Sequence, residues 1–275
     1  MNELLGKFNF KASKSLGQNF IFDSNLLEAI CTDAGVTKED TVLEIGCGAG
    51  TLTKTLSTFA KNVIGFEIDK NLKPIIEESL RDCKNVQIIF SDFLKVKESE
   101  IQNLTEGKKF KVVANLPYYI TTPIIFKLIE SDLNIESITV MVQKEVGARI
   151  CAKPGEKDYG SLSVALQSFS DCKIVRTVKN AVFYPPPKVD SVLVKIDVDK
   201  AKLKIVNLEH FKKLCRCAFL MRRKTFLNNI IAAFSYSKEK VLKAFKTLNF
   251  SESIRGEMLS GFEFCELSNI FMAQN

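Results

Sequence analysis

Five short apolar runs, spaced to leave room for helices, restrict this chain to very few folds. They are Val42-Leu43-Glu44-Ile45, Val63-Ile64-Gly65-Phe66, Val86-Gln87-Ile88-Ile89-Phe90, Val112-Val113-Ala114 and Ile138-Thr139-Val140-Met141-Val142. Each is nearly continuous in apolar residues, as a strand is when both of its faces are covered. Helical stretches lie between most of them. Buried strands joined by helical crossovers build a doubly wound, mostly parallel α/β sheet of Rossmann-like type. A helix precedes the first strand. Asp23 is placed to cap it, Leu26, Leu27, Ile30 and Cys31 form its apolar stripe, and Gly35 ends it.

The pattern changes after Pro154-Gly155. Ile174–Val178 and Val192–Ile196 read as two more strands, expected at an antiparallel edge, and Pro185-Pro186-Pro187 between them is expected to run extended. From Leu208 onward the chain reads as helix only, with a second amphipathic run starting near Ser237. The expected organisation is therefore a first domain over 1–197 and a smaller all-α domain over 198–275. With 275 residues, 46% of them hydrophobic, the chain can bury both cores. No apolar run approaches the roughly 20 residues that span a bilayer, and the first fourteen residues lack a signal peptide's apolar stretch. A cytoplasmic monomer is expected.

Charge is distributed unevenly. Residues 1–185 hold 23 basic and 23 acidic side chains, whereas 186–275 hold 16 and 9, so the whole excess of +7 lies in the last third. That asymmetry fits a polyanionic partner, or simply a solvated basic surface. The eight cysteines include no Cys-x-x-Cys pair, and His210 is the single histidine. Neither a zinc cluster nor any other metal site is expected, and the thiols are expected to be reduced.

The first of the five strands runs into Gly46-Cys47-Gly48-Ala49-Gly50 and a helix beginning at Thr51. Such a loop turns tightly and lets the backbone approach a ligand. Glu67 follows Gly46 by 21 residues, where a doubly wound fold places a ribose-binding acid. Asp92, after the third strand, could accept from an adenine amine. The loop lacks the glycine spacing of a dinucleotide site and the Lys-Ser/Thr of a phosphate loop. An adenosine without a pyrophosphate fits better, and S-adenosylmethionine is such a ligand.

The fourth strand ends in Asn115-Leu116-Pro117-Tyr118. Adenine N6 is a poor nucleophile because its lone pair is delocalised into the ring. Acceptors for both of its N–H hydrogens favour a pyramidal nitrogen with the lone pair free. The Asn115 side-chain carbonyl is one such acceptor. The Leu116 main-chain carbonyl is another, freed because Pro117 breaks the ladder. Tyr118 can stack on the base. No strong base is needed, since the proton becomes acidic once the nitrogen carries the new methyl, so transfer rests on positioning.

The tetrad resembles the Asn/Asp-Leu/Pro-Pro-Tyr/Phe motif of amino-group methyltransferases. The segments Ser15–Ile21, Met141–Val146, Val182–Ser191 and Arg222–Thr225 are similar to motifs of the KsgA/Dim1 family of ribosomal RNA adenine N6,N6-dimethyltransferases, over about residues 11–229. The resemblance implies that Asn19, Ile21, Gly46, Gly48, Glu67, Asp92 and Asn115 contact S-adenosylmethionine. It implies that Phe183 covers the face of the target base opposite Tyr118, and that Lys188, Arg222, Arg223 and Lys224 meet RNA, the last three from a predicted helix. The implied substrate is a pair of adjacent adenosines in the 3′-terminal hairpin of small-subunit rRNA, within an immature 30S subunit, with two methyls added to each. Cys47, Ser161 and Met221 depart from the family's usual proline, arginine and glutamine.

Three other readings remain open on sequence alone: a resistance-type dimethylase of large-subunit rRNA, a DNA adenine methylase, and an assembly factor that binds without catalysis. The triple proline with Lys188-Val189-Asp190-Ser191, and the helical tail, disfavour the first. Little chain is left for the target-recognition domain of the second. Retention of Glu67, Asp92, Asn115 and Tyr118 speaks against the third.

Overall fold

The apolar runs pair side by side as their continuous hydrophobicity requires. The computed structural model describes residues 2–8, 10–13, 15–221 and 223–274. Nine strands occur among them: β1 Phe20–Ile21, β2 Thr41–Ile45, β3 Asn62–Glu67, β4 Val86–Phe90, β5 Phe110–Asn115, β6 Ile135–Gln143, β7 Ser170–Val178, β8 Phe183–Tyr184 and β9 Ser191–Val198. Seven form one sheet in the order β4-β3-β2-β5-β6-β9-β7. The pairs β4–β3, β3–β2, β2–β5 and β5–β6 are parallel, and β9 runs antiparallel to β6. Strands β1 and β8 form a separate antiparallel pair, with Ile21 opposite Phe183.

Strand order reverses at β2, which has β3 on one side and β5 on the other. Crossovers leave such a strand in opposite directions and open a crevice beyond its carboxyl end, where ligands of doubly wound sheets bind. The helix Ser24–Ala34 begins as expected: Asp23 accepts from the Leu26 N–H at 3.1 Å, and Gly35 closes it at φ +70°. Its buried face, Leu27, Ile30, Cys31 and Ala34, shares a core with Val42, Val63 and Val113 of three neighbouring strands.

The described chain divides into two compact units. The first runs to Gly147 and resumes over Lys173–Val198; the second comprises Ala148–Cys172 and the chain from Asp199 onward. The division expected from sequence put 148–172 in the first domain, but in the structure that segment packs with the C-terminal helices. Ala152, Tyr159 and Val164 share a core with Phe211, Leu214, Phe226 and Phe264. The Tyr159 hydroxyl donates to the Leu259 carbonyl at 2.7 Å. The second unit also holds the helices Leu208–Leu220, Phe226–Phe234, Lys238–Thr247 and Gly261–Ala273.

The expected helical placement is corrected for Arg223 and Lys224. The helix Leu208–Leu220 stops at Met221 (φ −127°, ψ 75°), and Thr225 caps the next helix by accepting from Asn228. Arg223 and Lys224 lie exposed in the turn between; Arg222 lies outside the described residues. The buried Asn229 amide donates to the carbonyls of Ala218 and Met221 at 3.3 and 3.5 Å, satisfying acceptors that a helix end leaves open. Among the described residues no helix is long and apolar enough to cross a membrane.

Candidate active site

The crevice beyond β2 is built from the loop that leaves that strand. Gly48 adopts φ +56°, and a Cβ there would stand 3.2 Å from the Phe20 ring. Only glycine meets both demands without strain. The Gly46 N–H donates to the Phe66 carbonyl at 2.8 Å, which pins the loop to the end of β3. The helix Thr51–Phe59 that follows carries no side-chain cap. Its Thr51 hydroxyl instead donates to the Ile21 carbonyl at 2.7 Å and ties β1 to the loop.

Glu67, the last residue of β3, is 5% exposed and held at both oxygens. Oε2 accepts from the Gly48 N–H and Oε1 from the Asp69 N–H, each at 2.8 Å. Burial raises its pKa, and the two backbone bonds oppose that rise. The carboxyl is thereby fixed in orientation. Asp92 stands just after β4, where Oδ1 accepts from the Leu94 N–H at 3.1 Å and Oδ2 lies 3.6 Å from the Lys95 ammonium.

Asn115 ends β5. Its Nδ2 donates to the Asn19 carbonyl at 2.9 Å, which leaves the side-chain oxygen as the free end. The Leu116 carbonyl takes no backbone hydrogen bond among the described residues, whereas the Pro117 carbonyl accepts from the Ile120 N–H and the Thr121 hydroxyl. Proline thus opens the helix Tyr118–Glu130 and leaves the preceding carbonyl unspent. The Tyr118 hydroxyl pairs with the Ser191 hydroxyl of β9 at 2.7 Å. Burial raises its pKa against the pull of that bond, so the phenol stays neutral.

These segments enclose a cavity of about 300 Å³, within the size range of small-molecule sites. Asn19, Ile21, Gly46, Gly48, Glu67, Asp92, Asn115, Leu116, Pro117 and Tyr118 all line it. Phe183 does not. It is 3% exposed and packs with Ile21, Val113, Met141 and Leu193, while the adjacent Tyr184 is exposed. The reason lies in register: pairing with Ile21 turns Phe183 into the core. Lys188 is exposed and, like Arg223 and Lys224, has no acidic partner among the described residues.

Sequence reasoning missed two side chains of this site. Gln18 donates to Asp69 Oδ2 at 2.8 Å and accepts from the Ser13 N–H at 2.8 Å, so it fastens the segment before β1 to the turn after β3. The sequence contained the residue but no sign of its partner. Glu44 is the other, a carboxyl at an interior position of an apolar strand, which is itself a signal.

Comparison with known proteins follows this geometry closely. The family described as "Ribosomal RNA adenine dimethylase" matches residues 9–269. The "Ribosomal RNA small subunit methyltransferase A" of Clostridioides difficile (strain 630) is 44% identical over 270 residues, covering 98% of this chain and 93% of the relative. The protein of that name from Bacillus pumilus is 43% identical, covering 98% and 94%. A dimethyladenosine transferase from Plasmodium falciparum superposes with a TM-score of 0.80 at 27% identity, covering 93% of this chain and 98% of that one. The 23S rRNA methyltransferase ErmE shares the fold, with a TM-score of 0.73 at 23% identity, covering 92% and 99%.

Proposed function

This chain belongs to the ribosomal RNA adenine dimethylase family, and on that premise we propose that it adds two methyl groups to N6 of each of two adjacent adenosines in the 3′-terminal hairpin of small-subunit rRNA, using S-adenosylmethionine. The observation that carries this reading is a single cavity lined both by the glycine loop with Glu67 and Asp92 and by Asn115, Leu116, Pro117 and Tyr118. The small-subunit name of relatives 43–44% identical to this chain supports the choice of rRNA.

The residues present fit the methyl donor. A ribose needs a carboxylate of fixed orientation, and Glu67 is held by two N–H groups. A buried carboxyl oxygen without a partner, Glu44 Oε2, suits a ligand that carries positive charge. Glu67 would accept from the ribose hydroxyls and Asp92 from the adenine amine. Asn19, Ile21, Gly46, Gly48 and Asn115 would complete the contacts. S-adenosylmethionine, when bound, supplies an electrophilic methyl on a sulfonium.

Asn115 Oδ1 and the Leu116 carbonyl would accept the two N–H hydrogens of the target amine and direct its lone pair outward. Tyr118, anchored by Ser191, would stack on the base. The basic second unit, with Arg222, Arg223 and Lys224, would dock on an immature 30S subunit, and Lys188 would add a contact from the first. The chain would act without a metal, as a monomer, in the cytoplasm. Labelled-methyl transfer to small subunits lacking the modification tests this. Two adjacent dimethyladenosines in the 3′ hairpin are expected. Label in large-subunit RNA, or none, would overturn it.

A further inference from the structure

Glu44 lines the same cavity and holds neither the ribose nor the target amine. It is 1% exposed, and its Oε2 has no hydrogen-bond partner. No basic side chain pairs with it among the described residues. The groups around it come from every adjoining element: the Glu67 carboxyl from β3, the Cys47 thiol from the glycine loop, the Thr53 hydroxyl from the helix Thr51–Phe59, and the Cys31 thiol from Ser24–Ala34. Its strand partners, Gly65 and Val113, carry no titratable group.

A carboxylate without a cation is costly in such a place. Burial pushes the Glu44 pKa up to about 8, and the Glu67 charge adds to the rise, while the Thr53 hydroxyl and the Cys47 thiol pull it down. Glu67 and Glu44 thus differ in kind. Glu67 has both oxygens tied to backbone N–H groups, and Glu44 keeps an oxygen unspent. The favourable partner for that oxygen is a positive charge brought in by a ligand.

We propose that Glu44 keeps its carboxyl protonated in the free protein and releases that proton to solvent when a cationic methyl donor enters, so that it becomes the counter-charge of the bound donor. This rests on the assignment of S-adenosylmethionine to the cavity. It predicts that cofactor affinity depends on pH and that this dependence is lost when the Glu44 carboxyl is replaced.

The test is titration calorimetry of the whole protein with S-adenosylmethionine at neutral pH, in buffers of different ionisation enthalpy. About one proton should be released per molecule bound, and affinity should rise about tenfold per pH unit between roughly pH 6 and 7.5. 5′-Methylthioadenosine, which carries neither the sulfonium nor the ammonium, should bind with no release. Glu44→Gln should bind the donor about tenfold more weakly, with no release and no pH slope. Should that variant not fold, the comparison of the two ligands on the unaltered protein decides the matter. Donor binding without proton release, or release that persists in Glu44→Gln, would overturn the proposal alone. No donor binding in any buffer would overturn the cofactor assignment and this proposal with it.

Discussion

At the scale of single residues, the site separates groups that hold from groups that react. Asn115 is half committed: its nitrogen is bound to Asn19 and its oxygen is free. Asn115→Ala should lower turnover on the order of a hundredfold and leave RNA affinity within about twofold, because the lost acceptor matters most as the nitrogen pyramidalises. Single-turnover methyl transfer beside a filter-binding titration checks both. Glu67→Ala should weaken S-adenosylmethionine binding by about 1–3 kcal/mol, read by calorimetry; unchanged affinity would remove it from the ribose. Much of this site was legible in the sequence, because glycines, terminal acids and a proline at strand ends announce themselves locally. Phe183 was not. Its type fits a base-stacking role, but its exposure depends on pairing with Ile21, 162 positions away in the chain.

At the scale of elements, what was legible followed from periodicity and what was hidden followed from pairing. The five strands stand where their apolar runs lie, but β4, read as buried, is only partly covered because it forms one edge of the sheet, with Gln87 exposed. The insertion of β9 between β6 and β7 could not be read, because nothing in a strand's own residues names its neighbour. The end of the helix Leu208–Leu220 was hidden for a related reason: Met221 is a good helix former, and the stop is enforced by Thr225 and by Asn229 reaching back. Gly256 offers a test of close element packing. A Cβ there would meet Ala218 Cβ at 2.5 Å and the Ala218 carbonyl at 2.9 Å, backbone of the helix Leu208–Leu220 that cannot move aside cheaply. Gly256→Ala should therefore destabilise by about 1–3 kcal/mol, although alanine restricts the unfolded chain more. A urea denaturation midpoint decides the sign.

At the scale of the molecule, the basic excess and the helical unit coincide. Arg223 and Lys224 are exposed and unpaired among the described residues. Replacing both by alanine should weaken binding to different RNAs alike and reduce the salt slope by about one unit for each phosphate left unneutralised, with cofactor affinity unchanged. A filter-binding salt series reads this, and an unchanged slope would return them to ordinary surface. The same unit half-buries the single histidine. His210 bonds to Ser268 and Tyr236 and packs on Phe234 and Phe271. Burial lowers its pKa below 6.5, helped by Lys213 and Lys240. The unfolded chain therefore binds a proton more readily. Stability from the neutral ring is present above the unfolded value and is lost as pH falls through the folded one. Melting temperature should drop more between about pH 7.5 and 5.5 in the unaltered protein than in His210→Gln; equal drops would clear His210 of the effect. The second unit is also discontinuous in sequence, and that gives it a schedule. Tyr159 leaves the ribosome 100 residues ahead of its acceptor at Leu259. At roughly 5–20 residues per second, each newly made copy carries the 148–172 segment, Val164 included, for about 5–20 seconds before the last of the helices that share its core, Gly261–Ala273, exists.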